Sequence, residues 1–198
     1  LRSLGATKSI TGRIISYLSP ASDTTAKSLL RFHNRDSSQG VLTLKVMDDG
    51  NGSLIGAYEK NIDHSLVRAA ELPRRPKVYF EEWDDPQISG IRWVSELIGI
   101  AGGDDVFPEL AVCPDGKSRI IADPEEVIRR APDIIIGSWC GKKFRPEKVA
   151  ARQGWDAIPA VQTGDIYEIK SAEILQPGPA ALTDGLNQLQ KIITAWTV

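Results

Sequence analysis

VYFEEWDDPQISG, residues 78–90, is the stretch of sequence that decides the fold. A short apolar strand at residues 78–80 runs into four carboxylates that surround Trp83. Pro86 and the pair Ser89-Gly90 then lead into an apolar helical pattern. Ligands of open α/β sheets bind outside the carboxyl ends of the strands. The stretch therefore predicts a sheet edge that presents a large aromatic ring and several acceptors to a ligand.

Strand and helix patterns alternate along the chain after residue 75. Apolar strand patterns occur at residues 76–80, 133–137 and 165–169, and helical patterns at residues 88–101, 123–130, 149–155 and 179–195. The run Ile134-Ile135-Ile136 is typical of a strand that is buried on both faces. This alternation predicts an α/β fold, a three-layer lobe with a parallel or mixed sheet.

The first part of the chain has a different pattern. Strands are predicted at residues 10–18, 28–34 and 41–47, with turn-forming residues between them. Residues 58–72 then show the spacing of an amphipathic helix. The sequence thus predicts three parts, a β-rich segment at 1–57, a linking helix at 58–75 and an α/β lobe at 76–198.

Composition bounds the class of protein. The 198 residues carry a net charge of -2, with 41% hydrophobic and 25% charged residues, which is ordinary for a globular chain. This charge argues against a nucleic-acid partner, and no apolar run approaches the roughly 20 residues of a membrane span. Residues 1–13 have no apolar core of signal-peptide type, which predicts a mature form, a fragment or an intracellular protein.

The acidic cluster admits two interpretations. Glu81, Glu82, Asp84 and Asp85 could supply a general acid and base or a hard-metal site, or they could form a solvated rim at a strand end. No catalytic motif of the nucleophile-elbow, phosphate-loop or zinc-protease type accompanies them. The sequence therefore predicts no enzyme activity.

The cysteines and histidines show no metal-ligand spacing, so no metal site is predicted. Cys113 and Cys140 could form one bridge in an oxidising compartment, or they could remain two small apolar side chains.

Two tryptophans follow predicted strands directly. Trp83 comes after residues 78–80, and Trp139 comes after residues 134–136. Parallel strands would place both rings at the same edge of the sheet, where they could face a planar, largely apolar ligand. The alternative is that they cap the core of the lobe. Trp93 and Trp155 are predicted to pack inside the fold.

Four stretches, taken in order, carry a resemblance to a known family. They are PKVYFEEWDDPQISGIRWVSELIGIAGGDDVFPE (76–109), DPEEVIRRAPDIIIGSWCGKK (123–143), GWDAIPAVQTGDIYEI (154–169) and ILQPGPAALTDGLNQL (174–189). Together they resemble the substrate-binding proteins of bacterial ABC importers for cobalamin and, more distantly, for ferric siderophores. In that family a long helix joins two α/β lobes, and the ligand lies between them. The stretches look like the C-terminal lobe.

The resemblance implies a ligand face, a cargo and a partner. The implied ligand-binding residues lie past the carboxyl ends of strands and in the connector at residues 171–179; they are Trp83, Ile88, Ser89, Trp139, Ser171 and Gln176. Glu168 stands where the family carries an acidic residue that docks on the membrane permease. Cobalamin would be the transported ligand, no cofactor would be needed, and the location would be periplasmic or at the cell surface.

The front of the chain departs from that family. A complete member has a first lobe before the linking helix, whereas residues 12–57 include SLLRFHNRDSSQGVLTLKVMDDGNGSLIG, which resembles a strand pair of secreted bacterial β-sandwich modules. Two hypotheses stay open. The chain captures cobalamin or a similar corrinoid or metal chelate for an ABC permease, or it is an interaction or structural module without transport function.

Overall fold

A computed structural model describes residues 31–32, 44–45, 53–176 and 178–198. The predicted strand at residues 10–18 lies outside these residues. Parts of the other two early strands are described, and β1 (Arg31–Phe32) pairs antiparallel with β2 (Leu44–Lys45). Helix α1 (Ser53–Ala70) then begins five residues before the predicted helix at residues 58–72. Across the described residues, no helix combines the length and apolar character that a membrane crossing requires.

A mixed sheet forms the centre of the lobe. Its strands are β3 (Lys77–Asp84), β4 (Gln87–Ser89), β5 (Asp104–Asp105), β6 (Ile134–Gly137) and β7 (Ile166–Glu168). The order is β4-β3-β6-β7, and β5 pairs with the first residues of β3. Strands β3, β5, β6 and β7 run parallel, whereas β4 is antiparallel to β3. The predicted α/β fold with a mixed sheet is confirmed.

The predicted helix at residues 88–101 is wrong at its start. Residues 87–89 form β4, and helix α2 (Arg92–Ala101) begins only after Gly90 and Ile91. Strand β3 continues past Phe80, and a turn at Asp85-Pro86 reverses the chain, so that Trp83 pairs with Ile88. Ile88 fits a helical spacing, but a hairpin satisfies its backbone groups on the neighbouring strand instead.

Short helices lie between β5, β6 and β7, and two more helices, the last of them 12 residues long, follow β7. They are α3 (Pro108–Ala111), α4 (Glu125–Arg130), α5 (Pro146–Ala150), α6 (Pro159–Thr163), α7 (Ser171–Ile174) and α8 (Leu186–Thr197). The helix predicted at residues 149–155 is replaced by α5 and a 3-10 turn at Trp155–Ala157. The last helix, predicted at residues 179–195, is helical from residue 179 and contains a π turn at Ala181–Gly185. The predicted connector at residues 171–179 starts with α7.

The two faces of the sheet bury two separate clusters of apolar side chains, which confirms three layers. On one face, Val78 and Phe80 of β3 pack with residues of α1, α2 and α8. On the other face, Tyr79 of β3 packs with Ile135 of β6 and with the short helices. Each strand therefore alternates its side chains between the two clusters. Trp93 and Trp155 are buried in these clusters, as predicted.

Candidate functional site

The carboxyl ends of β3 and β6 lie side by side and bring two tryptophans together. Glu81 of β3 is in register with Gly137 of β6, and each tryptophan lies two residues further along its own segment. The ammonium of Lys142 lies 5.6 Å from the centre of the Trp83 ring and 5.2 Å from that of the Trp139 ring. Both rings therefore occupy one edge of the sheet and share one cation.

The two tryptophans differ in exposure. Trp83 is partly exposed, and its indole N–H donates to the backbone carbonyl of Asp85 at 3.0 Å. Trp139 is only 5% exposed; its indole N–H donates to Glu81 Oε1 at 3.1 Å. The Trp139 ring also packs edge-on against Phe144, with ring centroids 4.8 Å apart. Trp139 thus belongs both to the core and to the sheet edge, whereas Trp83 offers the larger free surface.

The carboxylate of Glu81 is fully buried and hydrogen-bonded at both oxygens. Arg152 donates to Oε2 at 2.6 Å and to Oε1 at 2.9 Å, and the Tyr79 hydroxyl donates to Oε2 at 2.9 Å. Burial and the neighbouring Glu81 carboxylate raise the pKa of Tyr79 well above its ordinary value. Burial lowers the pKa of Arg152, but its hydrogen bonds to Glu81 outweigh this, and the net pKa is raised.

Two further carboxylates of the acidic stretch are paired with cations. Glu82 binds Arg119 through two hydrogen bonds of 2.6 and 3.0 Å, and the Arg119 side chain is 2% exposed. Asp84 Oδ2 lies 2.5 Å from Lys142 Nζ. The stretch is therefore neither a free acid–base pair nor a solvated rim. Its paired carboxylates fix the loops that surround the edge, and of the four acidic residues only Asp85 is exposed.

The remaining predicted residues of the β3–β4 hairpin differ in access. Ile88 is partly exposed and lies opposite Trp83 in the hairpin register. Ser89 is 1% exposed, and its hydroxyl donates to the backbone carbonyl of Arg119 at 3.3 Å. Ile88 thus adds apolar surface next to Trp83, while the Ser89 side chain is turned to a structural hydrogen bond.

Glu168, at the end of β7, lies across the sheet from Trp83. Because β6 stands between β3 and β7, the ends of those two strands are two strand spacings apart, roughly 10 Å. Ser171 is partly exposed at the start of α7, and Gln176 is exposed shortly after it. Glu168 is in register with Gly137 and pairs with Lys170 at 2.6 Å. Glu168 therefore lies at the same edge of the sheet as the tryptophans, whereas Ser171 and Gln176 follow it in the chain, at the start of α7 and just after it.

The cations of this edge were missed by sequence reasoning. Arg119 ends a 3-10 turn at Lys117–Arg119, and Lys142 and Arg152 lie in two other connecting segments of the chain. The signal that could have found them is the acidic stretch itself, since a carboxylate that follows a buried strand needs a cationic or hydrogen-bonding partner. Their identity still depends on tertiary structure.

Cys113 and Cys140 are free thiols, the first partly exposed and the second exposed, which removes the predicted alternative of a bridge. Among residues 31–32, 44–45, 53–176 and 178–198, no group of three or more His, Cys, Asp or Glu side chains is arranged to hold a metal ion.

Comparison with known proteins adds a family match. A family profile described as periplasmic binding protein matches residues 53–173, which is more than half of the chain. The match begins at the first residue of α1 and ends within α7. The comparison with curated proteins finds no match.

Several solved structures share the fold. A possible iron-binding, periplasmic solute-binding protein from Staphylococcus epidermidis has 22% identity and a TM-score of 0.59, over 71% of this chain and 54% of that one. The periplasmic vitamin B12 binding protein of Vibrio cholerae has 16% identity and a TM-score of 0.53, over 75% and 57%. The Staphylococcus aureus protein IsdE, solved in complex with heme, has 19% identity and a TM-score of 0.59, over 71% of this chain and 56% of that one. This chain spans about half the length of these structures, and the likeness shows the fold alone.

Proposed function

We propose that this chain, which belongs to the periplasmic binding protein family, supplies a ligand-binding lobe of the substrate-binding component of an ABC importer. The observation that carries the proposal is the pairing of Trp83 and Trp139 at the carboxyl edge of the sheet, above a shared cation. This edge is where open α/β folds place their ligands. The lobe binds and releases its cargo without altering it chemically.

The ligand that we propose is cobalamin or a similar planar metal chelate. A flat ligand can stack on the partly exposed Trp83 ring and contact Ile88, where buried aromatic and apolar area supplies most of the affinity. The proposal is supported by solved structures of the same fold that are described as binding vitamin B12 or as complexed with heme. Cobalamin is the cargo in this scheme, and no cofactor is required.

The remaining predicted residues complete the proposed interaction surface. Ser171 and Gln176, at the start of α7 and just after it, would contact polar groups at the rim of the ligand. Glu168, at the end of β7, would dock on a permease arginine after release from Lys170. The protein would work in the periplasm or at the cell surface, next to the importer that takes its cargo.

A titration of the full chain with cyanocobalamin tests the proposal. We expect a dissociation constant on the order of micromolar or weaker, because a single open lobe makes only part of the contacts of a closed cleft. Trp83→Ala should weaken binding by about tenfold or more, since it removes the exposed ring. Isothermal calorimetry and the visible absorbance of the corrinoid give two independent readouts.

A matched control comes from the far end of the chain. Trp196 is partly exposed near the end of α8, where the Arg74 guanidinium lies 3.9 Å from its ring centre. Trp196→Ala should leave cobalamin affinity unchanged while it removes the same type of side chain. If the folded chain binds no cobalamin at millimolar concentration, the transport proposal is wrong and the interaction-module hypothesis takes its place.

A further inference from the structure

Trp83, Trp139 and Asp84 form a small cage around one ammonium group. The Lys142 nitrogen lies 5.6 and 5.2 Å from the two ring centres and 2.5 Å from Asp84 Oδ2. Two indole faces with a carboxylate are the groups that recognise organic cations, because the ring faces carry partial negative charge. The arrangement is therefore a cation site whose occupant is a side chain of the protein itself.

Lys142 leaves one oxygen of the Asp84 carboxylate without a donor. Asp84 Oδ1 is buried and accepts no hydrogen bond from any residue that the structure describes. The Asp84 side chain is 16% exposed, whereas that of Lys142 is 46% exposed. A buried carboxylate oxygen without a donor is costly, so Lys142 satisfies the Asp84 carboxylate only in part.

Lys142 can leave the cage at small cost. Its side chain is nearly half exposed, so water replaces the contacts that the ammonium loses. It also follows Gly141, which adopts a φ of +70° that favours glycine, in the loop between β6 and α5. The long lysine stem then swings into solvent without disturbing a buried element.

We propose that this cage is a cation subsite of the ligand face, filled by Lys142 in the free chain and by a positively charged group of the ligand in the complex. That the ligand reaches this cage rests on the proposed function, whereas the cage itself follows from the geometry of the four side chains. The corrin–cobalt(III) core of cobalamin, which carries net positive charge, is one group of the required class. Lys142 thereby sets the affinity and favours ligands that replace its charge.

The first test needs no natural ligand. Tetramethylammonium chloride and tert-butanol, a neutral molecule of similar size, are titrated into the full chain, and tryptophan fluorescence is followed at constant ionic strength. In Lys142→Ala the empty cage should bind tetramethylammonium about tenfold more tightly than in the unmodified chain, a difference of about 1.4 kcal/mol. It should also prefer tetramethylammonium to tert-butanol by about tenfold or more.

Two variants separate the cage from general electrostatics. Lys143→Ala removes an adjacent exposed cation and should change tetramethylammonium binding less than twofold. Asp84→Asn combined with Lys142→Ala keeps both rings but removes the carboxylate, and should abolish most of the preference for the cation. Trp83→Ala shows whether Trp83, one of the five tryptophans, reports the fluorescence change.

The second test uses cyanocobalamin and distinguishes the two proposals. Lys142→Ala should bind it about tenfold more tightly than the unmodified chain, and tetramethylammonium should compete with it. Two results would overturn the cage proposal. One is that tetramethylammonium and tert-butanol bind equally well, and the other is that tetramethylammonium binds equally tightly with and without Lys142. Weaker cobalamin binding by Lys142→Ala would do the same, because Lys142 would then hold the ligand. A selective cage in a chain that binds no cobalamin would refute the transport proposal alone.

Discussion

Arg152 holds the buried carboxylate of Glu81 through two parallel hydrogen bonds, although 71 positions separate the two residues. The Glu81 side chain is fully buried, and that of Arg152 is 21% exposed. The pair ties the loop after α5 to the end of β3, and Glu81 in turn accepts the indole N–H of Trp139. One carboxylate therefore fixes two segments that border the ligand face.

Removal of the arginine should be strongly destabilising. Arg152→Met leaves the Glu81 charge buried without its cation, and we expect a loss of about 3 kcal/mol in the free energy of unfolding. Urea denaturation followed by far-ultraviolet circular dichroism measures this loss. Arg145→Met is the control, because Arg145 is exposed and its carboxylate partner Glu147 is 3.9 Å away. A loss below about 1 kcal/mol for Arg152→Met would show that water compensates the charge.

Gly137 should tolerate no side chain. A Cβ atom at Gly137 would lie 1.9 Å from the ring of Phe144, which packs edge-on against Trp139. Gly137→Ala must therefore displace this ring, and we expect it to destabilise the fold by about 1–3 kcal/mol. The near-ultraviolet circular dichroism of the tryptophans should change as well, since Trp139 loses its packing partner.

Gly99 provides the opposite case for the same substitution. It lies in helix α2, and a Cβ atom there would meet no heavy atom within 4 Å. Gly99→Ala should stabilise the chain by about 0.5–1 kcal/mol, because alanine loses less backbone entropy in a helix. Similar effects of the two substitutions in thermal unfolding would contradict the packing at Gly137.

The stability of the chain should depend on pH in part through the ionisation of Asp105. Burial raises the pKa of this carboxyl above its ordinary value of 3.8, although hydrogen bonds from Ser95 and Phe107 partly oppose the shift. A carboxyl whose pKa is raised on folding stabilises the fold below its unfolded pKa. That contribution is lost as the pH rises through the folded pKa. The free energy of unfolding of the unmodified chain, relative to that of Asp105→Asn, should therefore fall as the pH rises from about 3.8 through the higher pKa of the folded state.

Asp115 gives a control of opposite sign. Hydrogen bonds from the backbone N–H and the hydroxyl of Ser118 lower the pKa of Asp115 below 3.8. Its contribution is present above the unfolded pKa and is lost as the pH falls through the folded pKa. Urea unfolding at a series of pH values measures both variants against the unmodified chain. Parallel curves for Asp105→Asn and Asp115→Asn would be inconsistent with these shifts.

The sheet could be predicted because its signals are local. The run Ile134-Ile135-Ile136 indicates a strand buried on both faces, and the apolar residues 78–80 indicate a short strand; the structure pairs the two in parallel. The common edge of Trp83 and Trp139 follows from this pairing. The three-residue strand β4 could not be predicted, because Ile88 also fits the helical spacing of the residues that follow.

The chemistry of the edge was less accessible to sequence reasoning. The partners of Glu81 and Glu82 lie 71 and 37 positions away, and no periodicity links residues at such distances. Lys142 is close in sequence to Trp139, but its position between two rings depends on the parallel pairing of β3 and β6. The proposed contacts of Ser171, Gln176 and Glu168 remain predictions, as do the limits of the domains.

Cys140 offers a footprint of the proposed ligand on the chain. This exposed thiol directly follows Trp139, while Cys113 lies in the turn after α3 and serves as an internal reference. We expect cyanocobalamin, whose axial positions are already filled, to slow alkylation of Cys140 by iodoacetamide. At about ten times the dissociation constant the rate should fall by about tenfold, in proportion to the unoccupied fraction, with no change at Cys113. Mass spectrometry of the two cysteine peptides measures both rates in one sample.

Equal slowing of both thiols would indicate a general effect on the fold. No slowing at Cys140 under conditions where calorimetry detects binding would place the ligand away from Trp139.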